Sequence, residues 1–244
     1  LSSTLRVYGQ ISTAISLLSM LTLVVYLSVY FALFASILSV CANKLGARGW
    51  LLVPFLWTTL EYVRENAFFM GFPWGSLGYS QYQNLTLIQA ADITGVPGVT
   101  FAVALVNSAA AQFIFGLTTR QEGSSVRRRL LPPVLAAAIP LVTLYAYGGW
   151  RLSQVEGGNR AAESVRVAVV QGNIPQDRKW DSENDAYTLA KYGSLSRLAS
   201  AGGPRLIIWP ETAVPFFFQR EGEGRSEILR LAREEKAYLL FGSP

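Results

Sequence analysis

From Val7 to Asn43 the chain carries no charged side chain, and three further apolar stretches follow it. One opens at Trp50-Leu51-Leu52-Val53-Pro54, one runs from Ile93 to Thr119, and one from Leu130 to Trp150. A bilayer's hydrocarbon core is about 30 Å thick and takes about 20 apolar residues of helix to cross. In lipid every backbone polar group must be bonded within the segment, so such stretches fold as helices. Their lengths predict four spans, at about 11–41, 50–69, 94–117 and 130–150. The second must run through Glu61 and Arg64 to be long enough. The first run is far too long for the apolar core of a cleavable signal peptide.

Charge divides the chain in the same place. Residues 1–150 carry 12 charged side chains and residues 151–244 the other 25. A soluble domain is roughly a quarter charged, so 165–244 reads as a soluble domain. The polar, glycine-bearing stretch 151–164 reads as the linker to it. There is no histidine, which excludes a Ser–His–Asp triad and any histidine-ligated metal. A single cysteine excludes an internal disulfide and a cysteine zinc site. No metal or cofactor is expected. The net charge of +5 comes from basic residues gathered at span ends rather than along a groove, so nucleic acid is not an expected partner. The start at Leu1-Ser2-Ser3 and the stop at Pro244, just past an apolar run, suggest an internal piece of a longer protein.

Cytoplasmic loops are enriched in Lys and Arg. Lys44 and Arg48 follow the first span, and Arg120 with Arg127, Arg128 and Arg129 follows the third. Four spans place both loops in the cytoplasm. The 66–92 connection and everything after Trp150 then lie outside. Cys41 falls at the cytoplasmic end of the first span. Glu61 and Arg64, three apart, share a helical face and can pair; they form either an interfacial ion pair or a polar wall of a substrate cavity. The 66–92 connection sets rings between glycines, in Phe68-Phe69-Met70-Gly71-Phe72-Pro73-Trp74-Gly75 and Gly78-Tyr79-Ser80-Gln81-Tyr82. Trp and Tyr favour the membrane–water interface. The loop is an aromatic belt or the mouth of a lipid-binding site, with Trp74 and Tyr79 as candidates.

Beyond the linker, Val165–Gln171 reads as a strand that Gly172-Asn173-Ile174-Pro175 ends. Asp181–Ala199 reads as a helix with Leu189, Tyr192, Leu195 and Leu198 inward. A short buried strand, Leu206–Trp209, stops at Pro210; Ser226–Lys236 is a helix with Ile228, Leu231 and Ala232 inward; Tyr238–Gly242 is a third strand. Alternating strands and helices predict an α/β domain. Glu211 stands just past a strand's carboxyl end, where α/β sheets place ligands. Trp209 and Pro210 on its flank would exclude water and suit it to general-base work; the alternative is a solvated turn.

Gln171-Gly172-Asn173-Ile174-Pro175-Gln176, Lys179-Trp180-Asp181 and Ile208-Trp209-Pro210-Glu211-Thr212-Ala213 together resemble the nitrilase-type domain of the apolipoprotein N-acyltransferase family. Trp57, Glu61, Arg64, Gly71-Phe72-Pro73-Trp74 and Gly78-Tyr79-Ser80-Gln81 resemble that family's membrane region, in the family's order. The Trp-Pro-Glu strand end is shared loosely with soluble carbon–nitrogen hydrolases.

The resemblance implies a multi-pass α-helical membrane region followed by an α/β nitrilase-like domain, an αββα sandwich of which 165–244 is the opening part. It also implies a Glu–Lys–Cys catalytic set that moves an acyl chain from a membrane phospholipid to the amine of a diacylglyceryl-cysteine apolipoprotein, through a thioester. The location implied is the bacterial inner membrane, with the domain on the periplasmic side. Glu211 matches the glutamate. The lysine and cysteine fall beyond residue 244, which leaves this stretch inactive alone; Lys179 belongs to the Lys-Trp-Asp motif, and Cys41 is on the wrong side. Trp180, Trp74, Tyr79, Glu61 and Arg64 are the expected substrate-binding residues. The competing expectations are a membrane-anchored carbon–nitrogen hydrolase or amidase using the same glutamate, and a non-catalytic membrane scaffold.

Overall fold

The computed structural model describes residues 2–9, 11–66, 71–118, 126–161, 163–175, 184–220 and 222–244. They form two compact units, Leu17–Ala161 and Leu1–Ser16 with Ala162–Pro244.

The first unit is helical. After a short helix α1 (Ser2–Tyr8) in the other unit, α2 spans Thr13–Leu45, α3 Leu52–Asn66, α4 Leu85–Ile88, α5 Ala91–Thr118 and α6 Val126–Ala161. Among the described residues three helical stretches are long and apolar enough to cross a membrane: Thr13–Leu45, Ala91–Thr118 and Leu130–Gly158. They overlie three of the four stretches expected as spans, by length and composition. The second expected span, 50–69, is different. Its helix has 15 residues, about 22 Å at 1.5 Å per residue, against a core of about 30 Å. A 3-10 turn, Gly46–Leu51, precedes it, its end is polar at Glu61, Arg64 and Glu65, and 67–70 lie outside the described residues.

α2 is apolar on all sides, and Leu18, Val25, Phe31 and Val40 around its circumference are exposed. A helix of that kind has its partners in lipid. α5 instead packs on α3 and α6. It buries the small residues Ala102, Ala104, Ser108 and Ala109, which let neighbouring backbones come close. Its helix is interrupted at Gly95, whose φ of 65° is a left-handed value that glycine adopts without a Cβ clash. Pro97 then falls in the first turn of the resumed helix, where no backbone donor is required.

α6 continues to Ala161, so the polar stretch expected as a linker is largely helix. No proline occurs between Trp150 and Pro175, and Arg151, Gln154 and Glu156 are good helix formers. The helix is also anchored. Arg151 Nε lies 2.8 Å from Asp92 Oδ2, the Tyr147 hydroxyl is 2.9 Å from both Asp92 oxygens, and Asn84 Nδ2 donates to Tyr145 at 2.6 Å. Between these contacts α6 touches α4 at Gly148, where a Cβ would stand 1.9 Å from the Thr86 carbonyl oxygen.

The second unit is built on three parallel strands in the order β1 (Val167–Val169), β2 (Leu206–Ile208), β3 (Tyr238–Leu240). Val167 pairs with Leu206, which pairs with Tyr238. Two helices, α7 (Asp185–Ser200) and α8 (Glu223–Glu234), connect them and pack on each other. Side chains alternate across a strand. Ala168, Ile207 and Leu239 join the core with Leu189, Tyr192, Ile228 and Leu231. The other face of the sheet is bare: Val169 is 78% exposed, Tyr238 76% and Leu240 56%.

The expected inward face of α7 holds at Leu189, Tyr192 and Leu195 and fails at Leu198, which is exposed. Nine residues at about 100° each put Leu198 about 180° from Leu189. Ser196, seven residues on, returns to the Leu189 face and is fully buried.

Gly148→Ala in the full-length protein is expected to push α6 off α4 and to lower thermal stability in detergent by about 1–3 kcal/mol. Gly149→Ala, whose Cβ meets nothing within 4 Å, should be neutral or slightly stabilising. Equal melting temperatures for the two variants would disprove the close helix approach.

Candidate functional site

In the α/β unit the candidate residues collect at the carboxyl ends of β1 and β2. Val170 N donates to Ile208 O and Trp209 N to Leu240 O, both at 2.9 Å, so the sheet bonding runs past the strands and carries their ends side by side. Beyond Trp209 the chain turns: Ala213 N donates to Pro210 O at 3.2 Å, closing a four-residue turn with Glu211 at its corner. The next residue, Thr212, has φ 52°, and Asn173 at the end of β1 has φ 47°. Left-handed backbone is uncommon away from glycine and a genuine outlier for a β-branched residue. It is held in place from β3. Val214 N donates to Gly242 O at 3.1 Å, and Gly242 lies so close that a Cβ there would stand 2.6 Å from Thr212 N.

A pocket of about 180 Å³ opens between the two strand ends. Gln171, Asn173 and Ile174 line it from one side, Pro210, Thr212 and Ala213 from the other, and Thr188 and Tyr192 of α7 form its floor. Gln171 Nε2 donates to Asn173 Oδ1 at 2.8 Å. Two motifs that lie far apart in sequence thus meet in one cavity. Glu211 itself is exposed and stands outside the lining.

The expected shielding of Glu211 by Trp209 and Pro210 is therefore not found. Trp209 belongs to the face of Ile207, two residues back, and points into the core. Its ring stacks on Tyr192 at 5.1 Å and its Nε1 donates to Ser196 Oγ at 2.9 Å. Tyr192 in turn accepts a hydrogen bond from the Gly172 backbone N–H; burial pushes its phenol above the usual tyrosine value, against the lowering effect of that bond. Tyr192 and Thr188, missed as pocket residues, carry only the signal of a helical core face. Trp180 and the Lys179-Trp180-Asp181 motif lie outside the described residues.

In the helical unit four other candidates come together. Glu61 and Arg64, on one face of α3, are both more than nine-tenths buried. They do not form the expected ion pair; each has other partners. Glu61 Oε1 accepts from Trp57 Nε1 and from the Leu77 backbone N–H, both at 2.9 Å. Its Oε2 accepts from the Thr100 hydroxyl at 2.9 Å, which accepts from Gly78 N at 3.0 Å. Arg64 Nη2 donates to Ser76 Oγ at 3.2 Å, and Ser76 donates to Glu65. Trp74 and Tyr79, on either side of this anchored segment, are exposed at 69% and 48%; Trp74 meets Phe72 edge-on at 5.1 Å. Thr100 and Ser76 went unread, since an isolated hydroxyl in an apolar or loop segment has no periodic signature. Phe68, Phe69 and Met70 lie outside the described residues. Among the described residues no group of three or more acidic or cysteine side chains could hold a metal ion.

Gly242→Ala is expected to displace the Glu211–Thr212 turn and lower the melting temperature of the full-length protein by several degrees, as about 1 kcal/mol or more does for a domain. Gly222→Ala, with nothing within 4 Å of its Cβ, is the control. An unshifted Gly242→Ala would show that the turn is not pinned from β3.

Residues 1–109 match the model of the apolipoprotein N-acyltransferase N-terminal domain. A protein of Geobacter metallireducens named apolipoprotein N-acyltransferase is 42% identical over 239 residues, 97% of this chain and 44% of that protein. Proteins of the same name from Methylococcus capsulatus and Rhodopseudomonas palustris are 34% and 31% identical, over 88% and 84% of this chain and 40% and 38% of their own lengths. The chain spans less than half the length of these curated relatives. By its matched domain and by identity along nearly its whole length, it belongs to the apolipoprotein N-acyltransferase family.

Proposed function

We propose that the full-length protein is a membrane-embedded N-acyltransferase that completes bacterial lipoproteins. It takes an acyl chain from a membrane phospholipid and places it on the α-amino group of a diacylglyceryl-cysteine. A cysteine thiolate attacks the phospholipid ester carbonyl and expels a lysophospholipid, leaving a thioester; the apolipoprotein amine then attacks the thioester and frees the thiol. Glu211 accepts the thiol proton and returns it to the departing lysophospholipid oxygen, then accepts the amine proton and returns it to the departing thiolate, and a lysine stabilises the tetrahedral oxyanion. The family resemblance puts that lysine and that cysteine after residue 244. Trp74, Tyr79 and Trp180 are the proposed substrate-side residues.

The observation that carries this reading is the convergence of the Gln171–Ile174 and Pro210–Ala213 segments on one pocket, with Glu211 at the corner of a turn fastened from β3. The bare apolar face of the sheet supports a second layer over it, as in an αββα sandwich. Three stretches fit to cross a bilayer and an exposed aromatic loop suit a substrate whose acyl chains stay in the membrane. Basic residues at 44, 48 and 127–129 support a cytoplasmic side there, with α3 and the following residues as a further crossing and the α/β domain facing the periplasm.

Glu211→Gln in the full-length protein is expected to reduce thioester formation by about 10²–10⁴-fold, the usual range for losing a general base, with membrane insertion intact. Normal acyl-enzyme accumulation in this variant would end its role as base. For orientation, Ser243→Cys in a full-length protein with every native cysteine replaced by serine should react with an impermeant maleimide in intact spheroplasts. Labelling only after permeabilisation would reverse the topology.

A further inference from the structure

Glu61 is a carboxylate in an apolar helix, and substrate contact is the simple explanation for a costly residue of that kind. Its surroundings point elsewhere. Two N–H donors, the Trp57 indole and the Leu77 amide, meet its Oε1, and the Thr100 hydroxyl donates to its Oε2, each at 2.9 Å. A carboxylate accepts all three; a carboxamide keeps the two on its oxygen and reverses the third, its nitrogen donating to the Thr100 oxygen, so only removal of both oxygens empties the set. With 7% of its surface exposed, Glu61 has its acceptor positions turned to the protein's own groups.

Two of the three donors lead to one place, the segment Ser76-Leu77-Gly78. Leu77 N binds Glu61 directly, and Gly78 N binds it through the Thr100 hydroxyl. Ser76, 4% exposed, is held between Arg64 and Glu65. Phe72 N, at the start of the loop, donates to the Arg64 carbonyl at 2.9 Å. At Gly78 the loop lies directly on α5: a Cβ would be 2.9 Å from both Val96 Cγ1 and the Val96 carbonyl oxygen. The residues that turn outward are the aromatic ones, Trp74 before the anchored segment and Tyr79 after it.

We propose that Glu61, with Thr100 as its relay and Arg64 and Glu65 at Ser76, is a positioning residue that fixes the Trp74–Tyr79 loop for capture of the phospholipid donor, rather than a substrate contact. This rests on the proposed acyl transfer for its activity readout alone. Loss of the clamp lets the loop swing, so the donor is met less often in the right pose while the reacting groups in the other unit are unaltered.

The test uses the full-length protein in lipid nanodiscs, with dioleoyl phosphatidylethanolamine as donor and a synthetic diacylated lipopeptide as acceptor. Amide hydrogen exchange at Leu77 and Gly78 is read beside the donor KM and kcat. Glu61→Ala is expected to speed exchange at both amides by tenfold or more, and Glu61→Gln, which keeps an acceptor for Leu77 N, by much less. Thr100→Val should do so at Gly78 with a much smaller effect at Leu77, and Thr100→Ser, which keeps the hydroxyl, should restore the protection that Thr100→Val loses. In Glu61→Ala the donor KM should rise about tenfold with kcat within about twofold. Unchanged exchange in Glu61→Ala, or a fall in kcat at constant KM with both amides still protected, overturns the proposal; so does Thr100→Ser behaving as Thr100→Val. If Glu61→Ala does not fold, Thr100→Val and its rescue by Thr100→Ser carry the comparison at Gly78, read as exchange and as donor KM. A wild-type protein that moves no acyl chain from phospholipid defeats the proposed function instead, and the exchange data still judge the clamp.

Discussion

A charge removed from water must be given partners by the protein, and a backbone N–H in an apolar setting must be given an acceptor. At the base of the aromatic loop these two demands answer each other. The Glu61 carboxylate takes the Leu77 N–H directly and the Gly78 N–H by way of Thr100, so a loop that runs across the top of α3 and α5 is left with bonded backbone. Much else in the helical unit follows from this exchange. The loop can lie flat on α5 only because residue 78 has no Cβ. Trp57, whose indole supplies the third donor, meets Phe31 and Phe34 of α2 at 5.5 and 5.1 Å. A carboxylate thus links three helices and a loop at one point.

The α/β unit solves a similar problem with main chain. Its strands have only three paired residues each, too few to define the geometry of a site. The bonds that continue past them, Val170 to Ile208, Trp209 to Leu240 and Val214 to Gly242, extend the order into the turns. The left-handed backbone at Thr212 and Asn173 is affordable inside that frame, since strained residues of this sort persist where the surroundings over-determine them. It brings the Gln171 and Thr212 segments to face each other over one cavity.

Much of this was legible in the residues themselves. Spans depend on an unbroken apolar length, a one-dimensional property, and the helices at 13–45, 91–118 and 130–158 lie close to where charge spacing puts them. The strand–helix alternation was equally plain. What failed needed the third dimension. Spacing by threes carries Leu198 around to the far side of α7, although the shorter spacings from Leu189 to Leu195 stay near one face. Trp209 next to Glu211 suggested a shielded carboxylate, but the ring follows the pleat into the core and the glutamate follows the turn out of it. The pairing of Glu61 with Arg64 was a fair guess from a spacing of three. It could not anticipate Thr100, 39 positions on, arriving as a better-placed donor, nor Ser76 drawing the guanidinium away.

The long helix α2 touches few protein side chains, and its 33 residues make a rod about 50 Å long at 1.5 Å per residue. That is well beyond the roughly 30 Å of a hydrocarbon core, and such a rod meets the excess by leaning. The Phe31 and Phe34 rings lean with it, and they bear on Trp57, whose indole proton sits on Glu61. Two ring edges and one indole proton thus tie the lipid-facing helix to the carboxylate beneath the aromatic loop.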